Sequence, residues 1–278
     1  MAQDARFLDR RPPDAPSRRA FLRRLVSVSQ ALGVLGLIAW VIGSGIAQLD
    51  YNWQWYRAQP FFYRIVDGEF IRGPLIRGLI LTLQIAGLAG VMAILIGFLT
   101  ALARMSGSYA GRIIATAYLE AIRNTPLLVQ LFLVYFVLAP IIGLDRFWAG
   151  VLCLAFFEGS FAAEIIRGGI RGVDRGQVEA SRAIGFTTTD SYRYIIIPQA
   201  LPLILPPLTG LMISTIKHSA IVSVIALAEL TTQALNLISN TFMAFEIWFI
   251  VAAIYLCLTV TLSFAVTLFE WRLNKPRS

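Results

Sequence analysis

Long apolar runs recur along this chain with almost no charge inside them, and they constrain it more than any other feature. They occupy residues 25–49, 75–103, 127–142, 147–166, 201–227 and 245–269. A helix crosses the hydrocarbon layer of a membrane with about 20 such residues. Six runs predict an all-α, polytopic membrane protein with about six transmembrane helices. Composition agrees: 57% of the residues are hydrophobic and 14% charged, against about 45–50% and 25% in soluble domains. Too few polar side chains remain to cover a water-soluble globule. That excludes a secreted disulfide scaffold, a disordered chain and most soluble enzymes.

The segments between the runs organise the chain. Residues 1–24 form a basic arm in which Pro12, Pro13 and Pro16 argue against helix. Residues 25–49 are the first membrane helix. Gly45-Ile46-Ala47 resembles a signal-peptidase site, but the run exceeds an h-region of about 7–15 residues, so an uncleaved helix is expected. Residues 50–74 form an aromatic-rich loop with Tyr51, Trp53, Trp55, Tyr56, Phe61, Phe62 and Tyr63, rings suited to the membrane interface. Residues 75–270 are the core, with a polar loop at 167–200, and 271–278 are a basic tail. Within the core, 111–122 reads as an interfacial helix. With both ends cytoplasmic, the cytoplasmic segments hold 18 of the 24 Lys and Arg and the opposite loops five. This asymmetry predicts an N-in, C-in orientation. It also reassigns the formal net charge of +8 from nucleic acid, for which no basic stripe with interleaved aromatics exists, to topology.

Several chemistries are excluded by residue type. His218 is the only histidine, so neither a His-based metal site nor a His–His acid–base pair is available. Cys153 and Cys257 each lie inside an apolar run without a ligand-spaced neighbour, and read as small apolar side chains. The only lysines, Lys217 and Lys275, follow Ile216 and Asn274, so no phosphate-binding Gly-Lys loop exists. Any ATP hydrolysis belongs to another chain. No catalytic or metal-ligating set is expected. His218 and Ser219 are adjacent in sequence only, which does not make an intramembrane enzyme.

The loop at 167–200 is the most informative segment. Asp174 and Gln177 have capping-box spacing, a helix is expected over 175–184, and Gly185 suits the left-handed residue that ends one. Thr187 with Asp190 caps a second short helix, which Pro198 is expected to end. Ala180 and Ser181 are small enough for another protein surface to approach, and Glu179 with nearby arginines offers charge-assisted contacts. On physics alone an ordinary amphipathic interfacial loop is equally acceptable.

The stretch Glu179-Ala180-Ser181, three residues, Gly185, nine residues, Ile195-Ile196-Ile197-Pro198 resembles the EAA loop of ABC importer permeases. Ser181 stands where the motif has a second alanine and Ile197 where it has leucine. Arg123-Asn124-Thr125-Pro126-Leu127-Leu128-Val129-Gln130, the run from Ala163 to Ile170, and the run from Lys217 to Ile225 are similar to segments of the polar amino acid permeases. Phe157-Glu158-Gly159 and the Trp-rich loop look most like glutamate/aspartate-type members, with glutamine-type members beside them. The resemblance implies a type I permease fold. It also implies a cytoplasmic ATPase subunit that holds ATP and Mg, with no cofactor on this chain, a second permease, and an extracytoplasmic amino acid binding protein. Glu179, Ala180, Ser181, Gly185, Ile195, Ile197 and Pro198 would couple to the ATPase. The first helix and basic arm exceed a permease core, which favours a second permease of different sequence.

Ionisable and polar groups at membrane depth are functional candidates by default. Glu158 and Glu164 in the fourth run, Lys217-His218-Ser219 in the fifth, Asn124 and Thr125 before the third, and Thr82 and Gln84 in the second are the candidates for a substrate path. Structural readings stand beside each. Glu164 can pair with Arg167. Lys217 can meet a substrate carboxylate or Glu158, or hold a helix break. Thr125 can be an N-cap with Pro126 at the first helical position, and Thr82 and Gln84 can bond between helices. The alternative function is an ion-coupled secondary carrier or a channel without an ATPase. A carrier does not need the docking element, and the chain lacks a repeat of helical length from which a two-halved carrier is built.

Overall fold

The computed structural model describes residues 18–48 and 51–273. It divides into two units, Met1–Trp53 and Gln54–Ser278. The first unit contributes α1 (Arg18–Gln48), which starts well ahead of the apolar run. Residues 17–24 contain no proline, so nothing in residues 18–24 breaks the i→i−4 ladder; the non-helical arm expected through residue 24 is corrected there. The rest of that arm, and residues 274–278 of the tail, lie outside the described residues. Within α1 the Ser29 and Ser44 hydroxyls donate to the Val26 and Val41 carbonyls at 2.9 and 3.0 Å, which satisfies both in an apolar stretch.

The second unit opens with a 3₁₀ turn (Trp55–Arg57) and the short α2 (Gln59–Phe62). An antiparallel hairpin follows, β1 (Tyr63–Val66) and β2 (Glu69–Arg72), with Tyr63 opposite Arg72 and Val66 opposite Glu69. Among the described residues the chain is helical as expected apart from this one hairpin, which lies in the aromatic-rich loop and was not anticipated. Its turn is Asp67-Gly68, with φ of 52° and 81°, the two-residue turn whose twist matches that of the strands.

Next come α3 (Pro74–Met105), α4 (Tyr109–Arg123), α5 (Leu127–Phe132) and α6 (Ala139–Ile142). Then follow α7 (Arg146–Arg171), α8 (Arg175–Ala183) and α9 (Thr188–Asp190). The chain ends with α10 (Ile197–His218), α11 (Leu230–Thr241) and α12 (Ala244–Leu273). Among the described residues five helical stretches are long and apolar enough to cross a membrane, and a sixth forms if α4 and Leu127–Ile142 count as one span bent by 107°. The sixteen-residue run at 127–142 reaches only about 24 Å at 1.5 Å per residue, short of a hydrocarbon core of about 30 Å.

Two prolines remodel helices without ending them. Leu133–Leu138 and Ser191–Ile196 wind as π-helices, and each stops two residues before a proline, Pro140 and Pro198. A proline lacks the N–H and crowds the carbonyl four residues back; the wider π turn relieves both. Pro198 therefore sits in the first turn of α10 instead of terminating a helix, and α9, the π turn and α10 form one span with the following residues through Ile225. The break expected at Lys217-His218-Ser219 is likewise absent. The helix continues to His218, tightens to a 3₁₀ segment at Ser219–Ile225, and ends at Ala226 with φ 53°.

Small residues let the long helices meet closely. A Cβ on Gly97 of α3 would stand 2.5 Å from the Ala162 Cβ of α7, and one on Gly90 would meet the Met212 sulfur of α10 at 2.5 Å. Gly87, in the same helix, faces open space instead. One core cluster joins Ala101 of α3 to Ala162 and Ile166 of α7 and to Ile196, Ala200 and Ile204, with Val178 of α8 and Tyr192 packed against it. This cluster holds the polar loop against the spans.

Candidate functional site

The segment 174–198 folds as two helical pieces around a turn. Asp174 caps α8 by accepting the Gly176 N–H at 2.6 Å. The expected box does not close, because the Gln177 side chain turns to Gln199 instead. At the other end Gly185 takes φ 88°. Its N–H donates to the Arg182 carbonyl at 3.0 Å and the Phe186 N–H to the Ser181 carbonyl at 3.1 Å. These two bonds form the left-handed helix end anticipated for a glycine at this position. Thr187 and Asp190 then form a reciprocal capping box.

This geometry divides the motif residues into two sets. Glu179, Ala180, Gly185, Ile197 and Pro198 are exposed, and Ile195 is half-buried. Ser181 is buried and turned inward, where its hydroxyl meets that of Ser191 at 2.8 Å; the expectation that it faces an approaching protein is corrected. Sequence reasoning overlooked Ile184, 70% exposed at the tip of α8, and Tyr194, which is exposed and stacked edge-on with Phe186. Arg193 lies over the Tyr194 ring at 5.5 Å. The exposed face thus combines apolar, aromatic and charged groups on a rigid frame. Beside it, an open groove of about 540 Å³ runs between Leu102, Met105 and Ser106 of the α3 end and Thr188, Tyr192 and Ile197.

The intramembrane candidates separate as clearly. Glu158, near the middle of α7, is buried, and its Oε1 lies 2.5 Å from Nδ1 of His218, whose side chain is 45% exposed. The Phe157 ring meets the imidazole edge-on at 5.9 Å. The partner of Glu158 is therefore His218 and not Lys217, which is exposed. The Ser219 hydroxyl is buried and donates to the Ile216 carbonyl at 2.7 Å. Glu164 is engaged on both oxygens: Arg104 and Arg123 pair with Oε1, the latter at 3.6 Å, and Arg167 with Oε2. One carboxylate thus ties α3, α4 and α7 together, which extends the single Arg167 pair read from sequence.

At the α4–α5 bend, Asn124 donates to the Glu120 carbonyl and carboxylate, both at 2.8 Å, and the Thr125 hydroxyl donates to the Ala121 carbonyl. Thr125 is therefore not an N-cap, and Pro126 occupies that position for α5. Gln130, quoted in the motif but given no role, is buried and donates to the Ile122 carbonyl at 2.7 Å and to Thr125. It satisfies a carbonyl that the end of α4 leaves open, so the bend is a built feature. Gln84 is exposed, and Thr82 is fully buried and bonds between helices.

The residue missed most completely is Glu229, the buried N-cap of α11. It accepts the Thr231 and Thr232 N–H groups at 2.8 Å each, the Tyr255 hydroxyl at 3.3 Å and the Thr82 hydroxyl at 3.4 Å. These bonds join α3, α11 and α12. Burial raises the Glu229 pKa above the ordinary carboxylate range, opposed by the backbone N–H and hydroxyl donors. The only available signal was an acidic residue three before Thr232 between apolar stretches, and glutamate is not among the favoured N-caps.

The sequence matches the family described as "Binding-protein-dependent transport system inner membrane component" over residues 93–275. The glutamine transport system permease protein GlnP of Escherichia coli (strain K12) is 38% identical over 205 residues, which cover 72% of this chain and 93% of that protein. The probable glutamine ABC transporter permease protein GlnM of Bacillus subtilis (strain 168) is 43% identical over 164 residues, 58% and 76% of the two chains. The crystal structure of an amino acid ABC transporter with histidines superposes with a TM-score of 0.68 at 46% identity, over 72% of this chain and 94% of that one. A methionine ABC transporter structure shares the fold at 21% identity, with a TM-score of 0.62 over 73% and 97%. The long apolar spans, the capped helical loop between two of them and a family match across residues 93–275 converge: this chain belongs to the binding-protein-dependent transport system inner membrane components.

Proposed function

We propose that this chain is the permease subunit of an ATP-driven importer of a polar amino acid, with glutamine the first substrate to test. The observation that carries the reading is the rigid, exposed face of α8, ended by the Gly185 turn. A surface of Glu179, Ala180, Ile184 and Gly185 held between two capped helices suits a cleft in a cytoplasmic ATPase, which would hold ATP and Mg. Binding-protein-dependent relatives named for glutamine transport support the substrate class. A second permease completes the pore in this reading. The helix ahead of the matched region 93–275 favours a partner of different sequence. An extracytoplasmic binding protein delivers the amino acid, and the termini lie in the cytoplasm.

The work is mechanical. ATP-driven closure of the ATPases biases two packings of the spans, and only ligands that favour one packing can shift the balance. Glu158 and His218 stand on the passage in this reading. A buried carboxylate with a half-exposed partner can exchange that partner for a substrate ammonium at little cost in desolvation. Gly185→Arg tests the docking: a side chain at φ 88° is strained, and with no atom within 4 Å of its Cβ it projects from the exposed turn into the proposed docking face. The expected result is loss of binding-protein-stimulated ATP hydrolysis and of uptake, with the chain still inserted. Normal stimulated hydrolysis in this variant would sink the docking claim.

A further inference from the structure

Three contacts cross between α8 and the start of the next span. The hydroxyls of Ser181 in α8 and Ser191 in the π turn lie 2.8 Å apart, both buried. The Ser181 hydroxyl donates to the Ser191 oxygen, and the Val178 carbonyl of its own helix, also at 2.8 Å, is its second acceptor within reach. At the edge of the same interface the Gln199 amide of α10 donates to the Gln177 side chain of α8 at 3.5 Å. Beneath them, Val178 and Tyr192 pack on the cluster of Ile166, Val173, Ile196 and Ala200. The loop that joins the two elements holds the left-handed Gly185 and its own capping box. Among the described residues, the other contacts between α8 and the start of this span are apolar packing, which is non-directional, and the exposed Gln199–Gln177 amide bond.

We infer that Ser181 and Ser191 are a positioning pair that locks α8 to the π turn, so that α8 and the first turns of α10 move as one body during the transport cycle. This rests on the docking reading above. Ser181 stands where the related motif carries alanine, and alanine offers no donor to Ser191. The pair is thus a property of this chain's own sequence. A hydrogen bond between two buried hydroxyls adds direction to a contact that packing alone leaves free to slide. Force applied to the exposed face of α8 then turns the span instead of being lost as slip between the two helices.

The test uses the assembled complex, with its ATPase, second permease and binding protein, in proteoliposomes, and reads amino acid uptake per ATP hydrolysed. Ser181→Ala and Ser191→Ala are each expected to lower that ratio about three- to tenfold, the scale of one net hydrogen bond. The double alanine variant should be no worse than the worse single, because the two act through one bond. Ser181→Cys/Ser191→Cys supplies the complementary arm. Its disulfide, verified on non-reduced peptides, should keep uptake per ATP within about twofold of wild type, since the two elements do not move apart. Wild-type ratios in both single variants, losses that multiply in the double, or a cross-link that stops uptake while hydrolysis continues would each overturn the pair's role. Absence of binding-protein-stimulated hydrolysis in the wild-type complex would overturn the docking reading, and the pair's role with it.

Discussion

Glu158 and Glu229 show how two buried carboxylates in one chain take different parts. Glu158 has a half-exposed partner, His218, and Glu229 has backbone and hydroxyl donors on three helices. The first arrangement can exchange its partner, and the second is closed. Glu158→Gln keeps the shape and removes the charge. A charge-assisted bond contributes about 1.5–3 kcal/mol, so uptake should fall about tenfold or more while the complex still assembles, and His218→Gln should lose about as much. Unchanged uptake kinetics in Glu158→Gln would remove it from the passage. Glu229 carries a pH prediction. Its folded pKa lies above the unfolded value because of burial, so the folded state holds the proton longer. The associated stability is full below the unfolded pKa of about 4.3 and is lost as pH rises through the folded value. The melting temperature of the purified protein should therefore drop as pH rises through and just above the ordinary carboxylate range. In Glu229→Gln that drop should be smaller, and equal slopes would refute the assignment.

At the scale of elements, what could be read in advance followed from local chemistry. Gly185, Thr187 and Asp190 each act over a few residues, and the structure has the turn and the capping box where the sequence suggested them. The Asp67-Gly68 hairpin was equally local and was overlooked because aromatic composition dominated the reading of that loop. Pro198 misled, because a proline announces a missing N–H without saying whether the helix stops or widens into a π turn. His218 beside Glu158, Arg104 beside Glu164 and Ser191 beside Ser181 lie 60, 60 and 10 residues away, so these pairings depend on helix packing that no short pattern reveals. Packing makes its own prediction. Gly97→Leu forces a side chain into the space of Ala162, and overpacking costs about 1–3 kcal/mol or more. Gly87→Ala meets open space. In fluorescence-detected size exclusion after heating, Gly97→Leu should lose monodisperse protein at lower temperature than wild type, and Gly87→Ala should match wild type. Equal behaviour of the two would show that the α3–α7 contact is not close-packed.

For the whole molecule, the scarce charges carry most of the information about orientation. Residues 25–49 and 245–269 are so apolar that either direction of insertion satisfies the hydrophobic term; the choice falls to Lys and Arg beside the spans. The segments 1–24, 104–123, 167–200 and 270–278 hold 18 of the 24. These include Arg104, Arg123 and Arg167, which gather around Glu164. That convergence places three basic span ends at one level, as an orientation set by those charges requires. It also puts α8 on the same side, the side the proposed ATPase docking requires. Gly68 in the hairpin turn should then face the other side. Single cysteines test this in a Cys257→Ser background, since Cys257 is exposed and Cys153 is buried. Gly68→Cys should react with a membrane-impermeant maleimide added to spheroplasts, and Ile184→Cys only after the cytoplasmic face is opened. The reverse pattern would invert the chain and leave α8 outside the cell, where ATP-driven coupling through it is impossible.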